Sequence, residues 1–218
     1  MFIGHYAPAF LAAARPQSAA LGSLFVAAQL TDIAFATLVL TGTEKMRVVP
    51  GFTALNDFDL YDMPYSHSLM GTILFGVIFG LLVMVGTGRK KAGVGAGLVV
   101  VSHWFLDWLT HKPDLTLFGA PPKWGLGLWD IPILAIPLEL GLVAAAIAYF
   151  VHQRGAELYR GRMIILAAVL LLAQLIDWLG DKPDVHGAAA PALMLVTYAV
   201  LILLAIWASA HPKKYPQI

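Results

Sequence analysis

The 218-residue chain contains no cysteine. That excludes a disulfide framework, a thiolate zinc site, an iron–sulfur cluster and a cysteine nucleophile. Any metal must be held through nitrogen and oxygen. Charge is also scarce. Charged residues make up 12% of the sequence, against roughly 25% in a soluble globular domain. Such a chain has too little polar surface to clothe a water-facing shell, so a soluble enzyme and a disordered tail are excluded. Neither sign of charge dominates: 14 basic and 13 acidic residues leave a net charge of +1. A nucleic-acid partner would need a basic footprint, and none is present.

Apolar residues are what the chain has in plenty, at 59%. A helix needs about 20 of them in succession to cross a bilayer. Six segments qualify: Leu21–Leu40, His67–Gly86, Val94–Thr110, Trp129–Val151, Met163–Leu179 and Ala190–Ala208. A seventh, Phe2–Ala14, is too short to cross. Arg15-Pro16 ends it, and Pro16 suits the first position of the next helix. No basic stretch precedes Phe2, so the segment reads as a half-membrane helix rather than a cleaved signal. The expected fold is one all-α integral membrane domain over residues 1–218, with about six transmembrane helices and a short N-terminal half-membrane helix.

Basic residues in short loops mark the cytoplasmic side. Arg15, Arg89, Lys90, Lys91, Arg154, Arg160, Arg162, Lys213 and Lys214 form one set of nine; Lys45, Arg47, Lys112, Lys123 and Lys182 form the opposite set of five. The sets alternate correctly across six spans. They predict a cytoplasmic C-terminus, with residues 41–66 and 111–128 on the outside of a bacterial inner membrane. Gly76-x3-Gly80 and Gly93-x3-Gly97 predict close helix packing. Trp104, Trp108, Trp124, Trp129 and Trp178 read as an interfacial aromatic belt. One echo recurs: Asp107-Trp108-Leu109 with Lys112-Pro113-Asp114, then Asp177-Trp178-Leu179 with Lys182-Pro183-Asp184. It reads as internal duplication or as a shared way to finish a span.

Ionisable groups within spans are expensive and usually face a bundle interior. Here they are Asp32, His103, Asp107, Asp130, Glu139 and Asp177, with His67 at the mouth of the second span and His5 in the half-membrane helix. His103 and Asp107 are four apart, hence on one helix face. They can grip a cation or hold each other. Glu139 lies on a span holding Pro132 and Pro137; it reads as a proton or substrate site, or as a cap on a neighbouring helix. At 1.5 Å per residue, His67, His103 and Asp107 fall within about 10 Å of one plane. His5 lies about 15 Å and Asp32 about 25 Å up from the Arg15 turn. Imidazoles with carboxylates suit Zn, Mn or Fe(II) better than Mg or Ca.

Four elements occur in order: Gly4-His5, Asp32, Ser66-His67-Ser68-Leu69, and Ser102-His103-x3-Asp107. Over residues 1–115 the pattern resembles the YdjM-like family of membrane-bound metal-dependent hydrolases. The resemblance implies metal ligands at His5, Asp32, His67, His103 and Asp107. Ala34 and Phe35 stand where the family pattern has a second Asp and a His, and Asp62 stands where it has another His. One divalent transition metal, Zn first and Mn or Fe next, fits these departures better than two.

Such an ion would lower the pKa of a bound water and polarise an ester or phosphoryl oxygen. Asp62 is the expected base, with Asp107 as the alternative, and His111 is an interfacial histidine or a proton shuttle. The expected activity is hydrolysis of a lipid-like ester or phosphoester near the outer leaflet. The competing readings are a small transporter and a non-catalytic subunit of a larger membrane complex. Membrane lipid is the expected partner, with protein subunits in the latter case. His152, His186 and His211 read as loop residues without a role.

Overall fold

In the computed structural model, residues 1–155, 158–180 and 188–210 are described. Six helices are long and apolar enough to cross a membrane. They are α2 (Leu21–Leu40), α3 (Leu69–Thr87), α4 (Lys90–Thr110), α5 (Pro132–Arg154), α6 (Arg160–Leu179) and α7 (Ala189–Ser209). A short helix, α1 (Tyr6–Ala13), follows a single 3-10 turn over Ile3–His5. The protein is an all-α, multi-pass membrane protein, as its apolar segments predict. The second half of the echo, Lys182-Pro183-Asp184, lies outside the described residues, as do His186, His211, Lys213 and Lys214.

The boundaries differ from expectation where backbone chemistry intervenes. The third span starts at Lys90 rather than Val94, because its glycines pack helically against α3. The fourth starts at Pro132, which occupies the first helical turn where a missing N–H does no harm. Trp129 and Asp130 therefore belong to a 3-10 turn before the span. Asp130 lies 3.5 Å from Lys112 Nζ, so it is not an intramembrane acid. His152 sits in the last turn of α5 rather than in a loop.

Short strands cover one end of the bundle. β1 (Lys45–Val48) pairs antiparallel with β2 (Phe58–Asp62), in a register that shifts between Lys45 and Arg47. β3 (Leu115–Thr116) pairs with β4 (Lys123–Trp124). Thr116 also bridges to Ser68, the N-cap of α3, whose hydroxyl accepts from Gly71 N at 3.1 Å. The sequence predicts only outer loops over residues 41–66 and 111–128. The strands are too short for their alternation to stand out.

Inside a bilayer, helices associate through packing and internal hydrogen bonds, because lipid tails are as apolar as leucine. Near the cap-distal end, Phe10 meets Phe25 edge-on at 5.4 Å and Phe150 at 5.7 Å, while Tyr6 stacks on Phe25 at 4.3 Å. These rings lock α1 between α2 and α5. α3 and α4 form a hairpin closed by backbone contact. A Cβ placed on Gly80 would stand 2.8 Å from the Gly93 carbonyl oxygen, and one on Gly93 would stand 2.5 Å from that of Gly80. The aromatic belt is only partial. Trp104 and Trp129 are buried; Trp104 Nε1 donates to Thr116 O at 3.3 Å.

A Gly80→Leu substitution should force the hairpin apart. The expected loss is about 1–3 kcal/mol, as for overpacking elsewhere, read as a lower unfolding temperature in detergent. Gly86→Leu is the control, because a Cβ there meets nothing within 4 Å; an equal loss in both would refute backbone packing as the cause.

Candidate metal centre

The sequence places acids and imidazoles on four separate elements, and the fold brings five of them together. Asp32 comes from α2, His67 from the turn before α3, His103 and Asp107 from α4, and His5 from the 3-10 turn. Two overlapping groups could hold a metal ion: Asp32, His67 and His103, and His5, His103 and Asp107.

Four atoms form a closed ring. His67 Nε2 lies 3.3 Å from Asp32 Oδ1 and 3.7 Å from Asp107 Oδ2. His103 Nε2 lies 3.4 Å from Asp32 Oδ1 and 2.9 Å from Asp107 Oδ2. Ligands placed 2.0–2.1 Å from a tetrahedral ion stand about 3.3 Å apart. The four edges bracket that value, while the sets whose atoms all lie within 4.8 Å of one another are the two three-residue groups.

The partners behind the ring fix its chemistry. His103 Nδ1 lies 2.8 Å from the Ala28 carbonyl oxygen. A carbonyl only accepts, so Nδ1 carries the proton and a neutral His103 has its lone pair on Nε2. Glu44 settles His67 in the same way. Its Oε1 accepts from Tyr65 N at 2.8 Å and Ser66 N at 2.9 Å, and its Oε2 accepts from Ser66 Oγ at 2.5 Å. Having donated its only proton to Glu44, Ser66 Oγ must accept from His67 Nδ1, 2.8 Å away. The lone pair of a neutral His67 is therefore on Nε2.

Each carboxylate has one oxygen restrained from outside. Tyr198 donates to Asp32 Oδ2 at 3.1 Å. Asp107 Oδ1 is 2.8 Å from the Met1 nitrogen, 3.0 Å from His5 Nε2 and 3.3 Å from His111 Nε2. The other oxygen of each carboxylate faces the imidazoles. His103 Nε2 and Asp107 Oδ2 are both buried without a hydrogen-bond partner, despite standing 2.9 Å apart. Their alignment is wrong for a shared proton. Buried polar atoms in native proteins are nearly always satisfied, and a cation bound to both would satisfy these. The residues present fit a metal.

His5 reaches the cluster by a different route from the other four. It bonds Asp107 from behind and stacks on His103, with ring centroids 3.7 Å apart and planes at 4°. Asp62 is not brought in. Its half-exposed carboxylate ends β2, 4.0 Å from Lys45 Nζ, and takes no part in the cavity wall described below. The strand that carries it caps the bundle and turns it towards Lys45.

Glu139 is a cap. Its Oε1 accepts from Phe2 N at 2.6 Å and Gly4 N at 3.0 Å, while Gln174 Oε1 accepts from Ile3 N at 3.1 Å. Two spans thus hold the turn that carries His5. His111, at the C-cap of α4, bonds Asp114 Oδ1 at 3.1 Å and lies against Trp129, 4.3 Å between ring centres. Burial depresses its imidazole, but the Asp114 and Asp107 carboxylates outweigh that and raise its pKa to about 9.

A cavity of about 180 Å³ adjoins the ring, with Asp32, Asp107 and His111 on its wall. Its remaining wall is mostly apolar, drawn from α2, β2, α6 and α7.

Sequence reasoning missed Glu44, Ser66, Asp114, Gln174 and Tyr198. Gln174 and Tyr198 carried a signal: a polar tip within an apolar span needs a partner. Glu44 carried none, because it is one acid among several in an outer loop. Comparison with family models, with curated proteins and with solved structures returned no match.

Removing the cap should loosen the turn that holds His5. Glu139→Ala leaves two buried donors unpaired, each worth about 1–3 kcal/mol. Glu139→Gln keeps the accepting oxygen and should lose much less. Thermal unfolding in detergent compares them, and equal stability of the two variants would contradict the capping role.

Proposed function

We propose that the protein is a metal-dependent hydrolase of the bacterial inner membrane. It acts on a lipid-like ester or phosphoester near the outer leaflet, and its C-terminus is cytoplasmic. One observation carries this reading. Two imidazole nitrogens and two carboxylate oxygens converge, and the imidazole protons are already committed to Ala28 O and Ser66 Oγ. The ligands would be Asp32 Oδ1, His67 Nε2, His103 Nε2 and Asp107 Oδ2, with His5 holding Asp107 in place. Zinc suits this nitrogen and oxygen set, and Mn or Fe(II) follow. When bound, such an ion supplies an activated water and a Lewis acid.

The chain's own residues do the rest. Glu44 and Ser66 hold the His67 tautomer. Tyr198 and His5 orient the two carboxylates. His111, oriented by Asp114 and with its pKa raised to about 9, is a side chain on the cavity wall that can give a proton from Nε2. Asp62, beside Lys45 and off that wall, is not placed to act as the base. The motif resemblance points to the same chemistry. A transporter would need Glu139 along a polar path, but that carboxylate is engaged with the Phe2 and Gly4 N–H groups.

Elemental analysis of detergent-purified protein should find about one equivalent of a first-row transition metal. His103→Ala and Asp107→Asn should lose it while remaining monodisperse. Ser66→Ala should weaken retention about 10–100-fold, as outer partners of metal ligands commonly do. Asp62→Asn should leave metal content unchanged. Native protein without metal, and without hydrolysis of fluorogenic ester or phosphoester lipids in mixed micelles, would leave the accessory-subunit reading in its place.

A further inference from the structure

We infer that the cavity beside the cluster is a lipid-tail site entered sideways, through a gap between α6 and α7 that opens on the bilayer. This deepens the hydrolase reading and rests on it for the identity of the bond to be cleaved. The cavity runs from Asp32, Asp107 and His111 to Ile176 on α6 and Leu193 on α7. Those two rim residues are 62% and 55% exposed. Their neighbours Leu172 and Val196 also face outward, at 56% and 60%. A strip of that composition on a membrane-crossing helix meets hydrocarbon rather than water. The gap therefore faces lipid.

The interior is mostly apolar, with Asn56, Asp177, Thr197 and Tyr198 as further polar side chains on the wall. Phe35 and Leu60 line it from α2 and the cap, and Ala173 and Met194 from the two spans. Small side chains at Ala173 and Ala190 leave the room that larger ones would fill. Backbone contact seals α3 against α4, and the hollows beside α1 are lined by residues other than Asp32, Asp107 and His111.

Size decides what enters. Pockets that hold a whole drug-sized ligand measure about 300–1,000 Å³, and this one measures about 180 Å³. It accommodates a linkage and the first carbons of a chain. The remainder of an acyl chain would stay between α6 and α7 and in the surrounding bilayer. That places an ester or phosphoester linkage at the polar end, against Asp32, Asp107 and His111.

Photolabelling tests this in nanodiscs, using phosphatidylcholine with a diazirine on the acyl chain close to the ester. Peptides spanning 173–177 and 193–198 should be labelled about tenfold more than the outward face of α3 around Leu74 and Leu82. Ala173→Trp and Thr197→Trp, both within the cavity wall, should each abolish that excess. Even labelling over α3, α6 and α7 would overturn the proposal, as would an excess that survives both substitutions. Metal content is read on the same samples. Native protein lacking metal would defeat the hydrolase reading, whereas the labelling pattern alone decides the portal.

Discussion

Two buried carboxylates set the terms for this structure. An ionised carboxylate in a low-dielectric interior is intolerable unless it is paired and hydrogen-bonded. Asp107 is almost wholly enclosed, and Asp32 is nearly so. Neither faces a Lys or Arg. Each is restrained at one oxygen by a polar group from another element: Tyr198 for Asp32, His5 and the Met1 nitrogen for Asp107. The remaining oxygens meet imidazoles whose Nδ1 atoms already donate elsewhere. The Met1 ammonium offsets part of the charge of Asp107, and a divalent cation among the remaining oxygens and imidazole nitrogens would offset the rest.

The architecture is arranged around delivering these groups to one depth. α4 supplies His103 and Asp107 one turn apart, so their relative position needs no tertiary help. His67 is different. It precedes α3, and its position depends on the Ser68 cap, the bridge to β3 and the Glu44 bonds to the Tyr65–Ser66 backbone. His5 depends on α1 reaching only partway across. Glu139 and Gln174 receive the N–H groups of the turn that carries it. In a bilayer such backbone donors must be satisfied internally, so a cap on this half-helix is a requirement.

The sequence spoke clearly where the bilayer imposes a rule. Spans, the half-helix and the close glycine contacts follow from length, apolarity and backbone sterics. The convergence of Asp32, His67, His103 and Asp107 also followed, because ionisable groups at similar depth have few other places to go. What was illegible was partnership across the bundle. Glu139 and Asp107 look alike in sequence, each an acid in an apolar run. One binds N–H groups and the other faces imidazoles, and only packing tells them apart. Trp104 and Trp129 look interfacial because tryptophan favours interfaces, yet the strand cap buries them. Asp62 was misplaced for the same reason: the cap that positions it has strands too short to announce themselves.

The cluster can be neutralised in two ways, and the outer partners direct both through Nε2. Imidazolium–carboxylate pairs would need an N–H on Nε2 aimed at an oxygen. His103 Nε2 and Asp107 Oδ2 are close enough for that bond but not aligned for it. Coordination asks instead for several donor atoms close to one another, as in the two overlapping groups Asp32, His67, His103 and His5, His103, Asp107. Ala28 O and the Glu44–Ser66 pair matter because both impose the same tautomer on imidazoles from different elements. An imidazolium donates from Nδ1 as well, so the same partners serve either state; for a cation they keep both Nε2 lone pairs on the carboxylate side, where one histidine turned the wrong way would remove a ligand.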